Sequence, residues 1–292
     1  MVVMVRVVET TSSAATVISH VIPGDATVTG VASLGDDVFI VRYNSQQVEV
    51  YDAMTFTLQR RLSVPGLGRS FGLAACTTNR CLYASDFNND VVHRMELSGR
   101  NAVTKWSVGR EPAGLTVNSA KNVVVVSQGE RTLQKFTTHG ALVQTIQLQS
   151  DIEYPCQVVE LSHGQLMISH TGKHHRVCLL DVKGAAVGSY GARPGSDMTK
   201  MKYPAGLAVD KYDNILVADK DNDRLLVLVT RMLVLDRSLT IAREMSVTVD
   251  GGLKGPYSLW YDKLRGRLYI GEWTGRRVII IDHLKDFTAS QV

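Results

Sequence analysis

The sequence predicts an all-β fold: a six-bladed β-propeller of four-stranded antiparallel blades, with an N-terminal strand closing the last blade. Three observations predict it. A short pattern recurs six times, each copy holds β-rich runs between polar turns, and no helical periodicity separates those runs.

The anchors of the repeat come first. Four copies open on proline, at Pro112-Ala113-Gly114, Pro155-Cys156-Gln157, Pro204-Ala205-Gly206 and Pro256-Tyr257-Ser258. Two open without it, at Gly30 and Gly72. Successive anchors (Gly30, Gly72, Gly114, Gln157, Gly206, Ser258) are 42, 42, 43, 49 and 52 residues apart. After each anchor comes a short apolar run, a polar turn and a second run, as in Leu207-Ala208-Val209, Asp210 to Asn214, and Ile215-Leu216-Val217-Ala218. A third run follows, such as Val48-Glu49-Val50-Tyr51 or Val177-Cys178-Leu179-Leu180, and in most copies a fourth, such as Val103 to Val108. Four short strands in ~40–45 residues make a propeller blade.

The ends of the ring can also be read. Repeat 6 runs out at Asp282 after its third strand, and Thr16 to Ile22 precedes repeat 1 as a strand-like segment. That segment is expected to supply the missing strand, so that no edge is left bare. The expected organisation is an extension over 1–13, a propeller over 14–285 with repeats starting near 29, 71, 113, 156, 205 and 257, and a tail over 286–292. An acid stands four residues after the start of the third strand at Asp52, Glu96, Asp181 and Asp282, but in repeat 5 the same count falls on Val229. Val229 to Leu235 therefore reads as a seven-residue insertion, expected to lengthen the loop after the third strand or to form an exposed apolar bulge.

Composition narrows the function classes. The 292 residues are 45% hydrophobic and 21% charged, ample for a buried core and too apolar for a disordered chain. The net charge of +4 permits an anionic partner without demanding one. No stretch nears the ~18 apolar residues of a membrane span, and no secretion signal is seen; the expectation is a soluble, cytoplasmic monomer. Cys76, Cys81, Cys156 and Cys178 are too few for a disulfide scaffold. Cys76 and Cys81 bracket a turn and could face each other, but reduced thiols are the expected state.

The segment Tyr203-Pro204-Ala205-Gly206-Leu207-Ala208-Val209-Asp210, followed by Asn214-Ile215-Leu216-Val217-Ala218-Asp219-Lys220-Asp221-Asn222-Asp223-Arg224 and preceded by Tyr190-Gly191 and Gly195, resembles an NHL repeat. Leu82 to Asn89 and Leu268 to Glu272 are weaker copies. Repeats 1, 3 and 4 depart from the pattern, with Arg42, Ser127 and His170 where repeat 5 has Asp219. The resemblance covers roughly 29–283. It implies the fold of the C-terminal domains of tripartite-motif ubiquitin ligases, which bind protein or RNA, with lactonase-like and amidating-lyase propellers as relatives. The zinc-spaced Cys/His clusters of the other tripartite-motif parts do not occur in this sequence.

A site is expected on the face formed by the loops between blades and between second and third strands. The second strands end at Arg42, Asp86, Ser127, His170, Asp219 and Glu272, followed by Tyr43, Phe87, Gln128, Thr171, Lys220 and Trp273. Trp273, Tyr43 and Phe87 fall on neighbouring blades, and form an expected aromatic arc rimmed by Arg42, Arg69 and Arg276. Arg110, Lys202, Tyr203 and Lys254 are expected on the same face. Aromatics beside arginine suit protein hot spots and single-stranded RNA alike; the alternative is that the rings pack on their own loops. Intermixed acids (Glu111, Glu130, Asp151, Glu153, Asp221, Asp223) tilt the expectation toward a protein partner over RNA.

Enzyme readings have less behind them. There is no Gly-x-Ser-x-Gly elbow and no phosphate loop. A lactonase-like hydrolase or lyase would hold calcium by carboxylates at the channel mouth. Asp86, Asp219 and Glu272 could contribute, but Arg42 in the equivalent place disfavours a cation. Asp86, Asp219, Asn88 and Asn222 have a plainer role as turn caps. His163, His170, His174 and His175 share one blade and could offer zinc ligands, though a solvated loop is the simpler reading. The expected function is a non-enzymatic scaffold without cofactor or metal, recognising a protein as the substrate-binding part of a ubiquitin-ligase-like system.

Overall fold

The computed structural model describes residues 20–99, 102–197, 200–233, 236–245, 247 and 249–282. They form six four-stranded antiparallel sheets. Blade 6 begins with the N-terminal β1 (His20–Ile22). Blade 1 holds β2 (Val28–Leu34), β3 (Asp37–Arg42), β4 (Gln47–Asp52) and β5 (Leu58–Ser63); blade 2 holds β6 (Leu73–Cys76), β7 (Cys81–Asp86), β8 (Val91–Glu96) and β9 (Val103–Ser107). Blade 3 holds β10 (Pro112–Val117), β11 (Val123–Ser127), β12 (Thr132–Phe136) and β13 (Leu142–Gln147); blade 4 holds β14 (Pro155–Glu160), β15 (Leu166–His170), β16 (His175–Leu180) and β17 (Ala186–Ala192). Blade 5 holds β18 (Pro204–Val209), β19 (Ile215–Asp219), β20 (Arg224–Leu233) and β21 (Asp236–Met245), and blade 6 is completed by β22 (Pro256–Asp262), β23 (Arg267–Glu272) and β24 (Val278–Ile281). Among the described residues the only helix is a 3₁₀ turn at Lys220–Asn222, and no helix is long and apolar enough to cross a membrane.

The second strand of each blade reads as an unbroken apolar run because both of its faces are buried. In β11, Val123 and Val125 enter the core shared with blade 2, while Val124 and Val126 enter the core shared with blade 4. In β19, Ile215 and Val217 face blade 4, and Leu216 and Ala218 face blade 6. The hydrophobic core is therefore six separate layers, one between each pair of neighbouring blades. Blade 6 meets blade 1 through Tyr269, Val278 and Ile280 against Val28, Val31 and Ile40. The outermost strands are solvated: Ile146 is the one buried residue of β13, and Leu62 of β5. The ring closes as the sequence predicts, with Val21 paired to Ile279. Residues 16–19 of that expected strand, the 1–13 extension and the 286–292 tail lie outside the described residues.

The anchors have a steric cause. In five blades the first strand starts with a bulge, a register shift at Val28/Gly30, Pro112/Leu115, Pro155/Gln157, Pro204/Leu207 and Pro256/Ser258. Proline is tolerated there as a first strand residue. Two positions on, the strand meets the neighbouring blade's backbone. A Cβ on Gly72 would stand 3.0 Å from the Gly114 Cα, and one on Gly206 would collide with the Tyr257 carbonyl.

Two expectations about local structure resolve differently from one another. Of the repeat-5 insertion, Val229 to Leu233 continue strand β20, and residues 234 and 235 lie outside the described residues. The continued strand extends a β-hairpin, with Val229 paired to Thr240 and Leu233 to Asp236. Insertion into a hairpin end keeps backbone groups paired, which a loop of the same length would not. Cys76 and Cys81 do face each other, as the last pair of the β6–β7 hairpin, and both are buried free thiols.

Candidate functional site

Each second strand ends in the same device. The residue after it donates its backbone N–H to the loop that enters the blade: Tyr43 to Thr27 (2.9 Å), Phe87 to Arg69 (2.8 Å), Gln128 to Glu111 (3.0 Å), Thr171 to Tyr154 (3.2 Å), Lys220 to Tyr203 (3.1 Å) and Trp273 to Gly255 (2.7 Å). The strand-ending side chain adds a second bond to that loop. Asp86 accepts from Gly68 N (2.9 Å), Asp219 from Lys202 N (2.6 Å) and Glu272 from Lys254 N (2.8 Å). Ser127 donates to the Arg110 carbonyl at 2.8 Å.

These carboxylates also pair inside their own blades. Asp219 binds Arg224 Nε at 2.8 Å and Asn222 at 2.7 Å; Glu272 binds Arg277 at 2.7 Å; Asp86 meets His93 at 3.1 Å and Asn89 at 2.9 Å. All three are fully buried. Burial raises the Asp219 carboxyl and lowers the His93 imidazole. The turn-capping role is thus the one these acids occupy, and a calcium site would have to displace it. Among the described residues, no group of three or more His, Cys, Asp or Glu is placed to hold a metal ion.

Arg42 overturns one expectation. It is only 5% exposed, pairs with Glu49 at 3.0 Å, and donates to the carbonyls of Ala26 and Arg276. It is a buried tie for its loop and does not rim the arc. The histidines are likewise dispersed. His175 accepts from Tyr203 N at 2.8 Å, His163 sits beside Gln165, and His170 is fully buried, its pKa pushed down to about 4 by burial.

The three expected arc residues come together, but only through two others. Tyr43 and Trp273 rings lie 5.5 Å apart. Phe87 reaches them through Phe71, at 5.1 Å from Phe87 and 6.3 Å from Trp273. Tyr257 completes the cluster 5.0 Å from Trp273. Phe71 and Tyr257 were missed because each is the middle residue of an anchor, a position that looks like filler. The equivalent residues Thr29, Ala113, Cys156 and Ala205 share no side-chain type, so only the ring geometry reveals the position as axial. All five rings are half-buried, and burial raises the Tyr257 phenol well above its usual range.

The protein's own cations already cover two of these rings. Arg69 lies 5.5 Å over Tyr43; Lys220 lies 4.6 Å over Tyr203 and 5.5 Å over Trp273, and pairs with Asp221 at 2.8 Å. Arg69, Arg110, Lys202, Lys254 and Arg276 are exposed. Arg276 donates to the Asp25 carbonyl at 3.2 Å. Of the neighbouring acids, Glu153 is held by Lys173 N, Asp223 by Gly255 N and Asp151 by Arg176.

Comparison with known proteins adds the fold and no more. No family model and no curated protein sequence matches the chain. Solved structures do: a hydrazine synthase of Kuenenia stuttgartiensis (16% identity, 91% of this chain and 97% of that one, TM-score 0.65) and virginiamycin B lyase of Staphylococcus aureus (8%, 90% and 98%, TM-score 0.63). A Bacteroides thetaiotaomicron protein of unknown function is similar as well (13%, 89% and 70%, TM-score 0.68). At such identities the likeness is one of architecture.

Proposed function

We propose that this propeller is a non-enzymatic binding scaffold, and that its loop face takes an extended protein segment carrying carboxylates beside an apolar side chain. The observation that carries this reading is the imbalance around the aromatic cluster. Arg69, Lys202, Lys254 and Arg276 form no ion pair with a described acid, whereas Glu153 is held by Lys173 N, Asp221 by Lys220 and Asp223 by Gly255 N, leaving Glu111 and Glu130 of blade 3 as exposed acids of the face. Half-buried rings inside a ring of available cations suit an acidic, amphipathic peptide. Base stacking fits less well, because Trp273 is covered by Phe71 on one side and approached by Lys220.

The resemblance to NHL repeats extends the reading: such a scaffold would serve as the substrate-recognition part of a ubiquitin-ligase-like system. Four buried thiols suit a reducing, cytoplasmic setting. Selection from a displayed random-peptide library tests the proposal. Enriched sequences are expected to place Asp or Glu beside an aromatic or aliphatic residue. Their affinity should fall about tenfold in the Lys254→Glu, Arg276→Glu double variant. Tighter, steeply salt-dependent binding of a randomised single-stranded RNA, with no peptide enrichment, would overturn it.

A further inference from the structure

The axis of the ring holds a cavity of about 480 Å³, walled by the first strands of all six blades. That volume lies within the ~300–1,000 Å³ usual for small-molecule sites. Its two ends differ. Toward the loop face it is lined by Phe71, Cys156, Gln157, Ala205 and Tyr257, none of them charged near neutral pH; burial pushes the Cys156 thiol up to about 12. The charged lining residues Glu160, Asp262, Lys263 and Arg265 are at the opposite end, at the turns that follow the first strands.

Gln157 is the odd residue at its position, and its side chain lies over Gly114 of blade 3, in the space a Cβ there would need. Its position is glycine in blades 1, 2, 3 and 5, where neighbouring strands approach closely. In blade 6 it is Ser258, whose hydroxyl accepts from Val31 N at 3.0 Å and so ties two blades together. The Gln157 oxygen makes no such bond. The Gln157 backbone N–H is taken by Ser169 at 3.2 Å, while Oε1 is enclosed with no hydrogen-bond partner. An enclosed acceptor without a donor is unfavourable, and a smaller residue is what the repeat uses elsewhere.

We propose that the axial cavity binds a small neutral molecule bearing an N–H or O–H donor and an apolar ring. The Gln157 carboxamide meets the polar group, since an amide both accepts and donates. Phe71 and Tyr257 meet the ring. Charged ligands are disfavoured because no charged residue lines that end to offset their desolvation. The ligand class is therefore that of aryl carboxamides and phenols. This site shares the Phe71 and Tyr257 rings with the loop-face cluster but uses none of the rim cations, and it does not depend on the peptide reading.

Benzamide is the probe, with benzoate and benzylamine as charged isosteres, each titrated by calorimetry at millimolar concentration into the full chain. Benzamide is expected to bind, with the isosteres at least about tenfold weaker. Gln157→Leu keeps the volume and removes the amide; Gln157→Gly restores the residue of the other blades. Each should weaken benzamide about tenfold while circular dichroism shows the folded sheet. The Lys254→Glu, Arg276→Glu double variant should bind benzamide as the wild type does, which separates this site from the loop face. Absence of benzamide binding to the wild type, equal binding of the isosteres, or unchanged affinity in both Gln157 variants would each overturn the proposal.

Discussion

Blade 1 and blade 5 fasten the same loop with opposite charges. In blade 5 the strand-ending residue is Asp219; it accepts from Lys202 N and pairs with Arg224 at 2.8 Å. In blade 1 it is Arg42, which donates to the Ala26 carbonyl at 2.9 Å and pairs with Glu49 at 3.0 Å. Blade 3 does the same work with the hydroxyl of Ser127. The position demands a polar side chain that reaches the incoming loop and, when charged, finds a buried partner. Neither sign is required. A carboxylate there is no signal for a cation, since reversing it preserves the architecture.

The largest effect is expected from removing one half of a tie. Asp219→Ala leaves the buried Arg224 guanidinium without its closest carboxylate and the Lys202 N–H without an acceptor, at a cost of about 3–5 kcal/mol in denaturant unfolding. A cost below about 1 kcal/mol would mean that the loop is held by other bonds. The comparison can be sharpened in blade 1. Arg42→Glu should be similarly damaging alone, but adding Glu49→Arg should recover about 1–2 kcal/mol, read as the coupling energy of a double-mutant cycle. No coupling would show that the two signs are not interchangeable.

A smaller effect comes from His170, which ends the second strand of blade 4. Its Nε2 is buried without a hydrogen-bond partner. Burial lowers its pKa from 6.5 to about 4. Between those values the unfolded chain binds the proton and the folded chain resists it. His170 therefore leaves stability untouched above pH 6.5 and lowers it as pH drops, with the loss levelling off below about pH 4 at about 3 kcal/mol. His170→Gln should flatten that slope in unfolding measured across the window. His93, also lowered by burial, keeps some slope in the variant. The smallest effect is expected on the exposed rim. Lys254→Glu with Arg276→Glu should change stability by no more than about 0.5 kcal/mol, so any loss of peptide binding in that variant reports the surface and not the fold.

Much of the fold could be read because a propeller repeats its physics. Val123 to Val126 form an unbroken apolar run since each blade is covered on both sides, and that run recurs at the blade period. The candidate site was less legible. Trp273, Tyr43 and Phe87 could be placed on neighbouring blades by counting, but Phe71 and Tyr257, which join them, sit at anchor positions where the other blades carry unrelated residues. Arg42 looked like a rim cation because its loop is on that face; its burial depends on Glu49, seven residues on, and on carbonyls from another blade.

The sequence by itself determined the blade number, the strand content and the closure by the N-terminal strand. These follow from local periodicity and from counting strands, and both are written in one dimension. Only the tertiary structure decided which polar side chains are spent and which are free. That depends on six strand ends and six anchors, far apart in the chain, converging around one axis, where a partner such as Ser258 for Val31 or a void such as the one beside Gln157 exists only once the ring has closed.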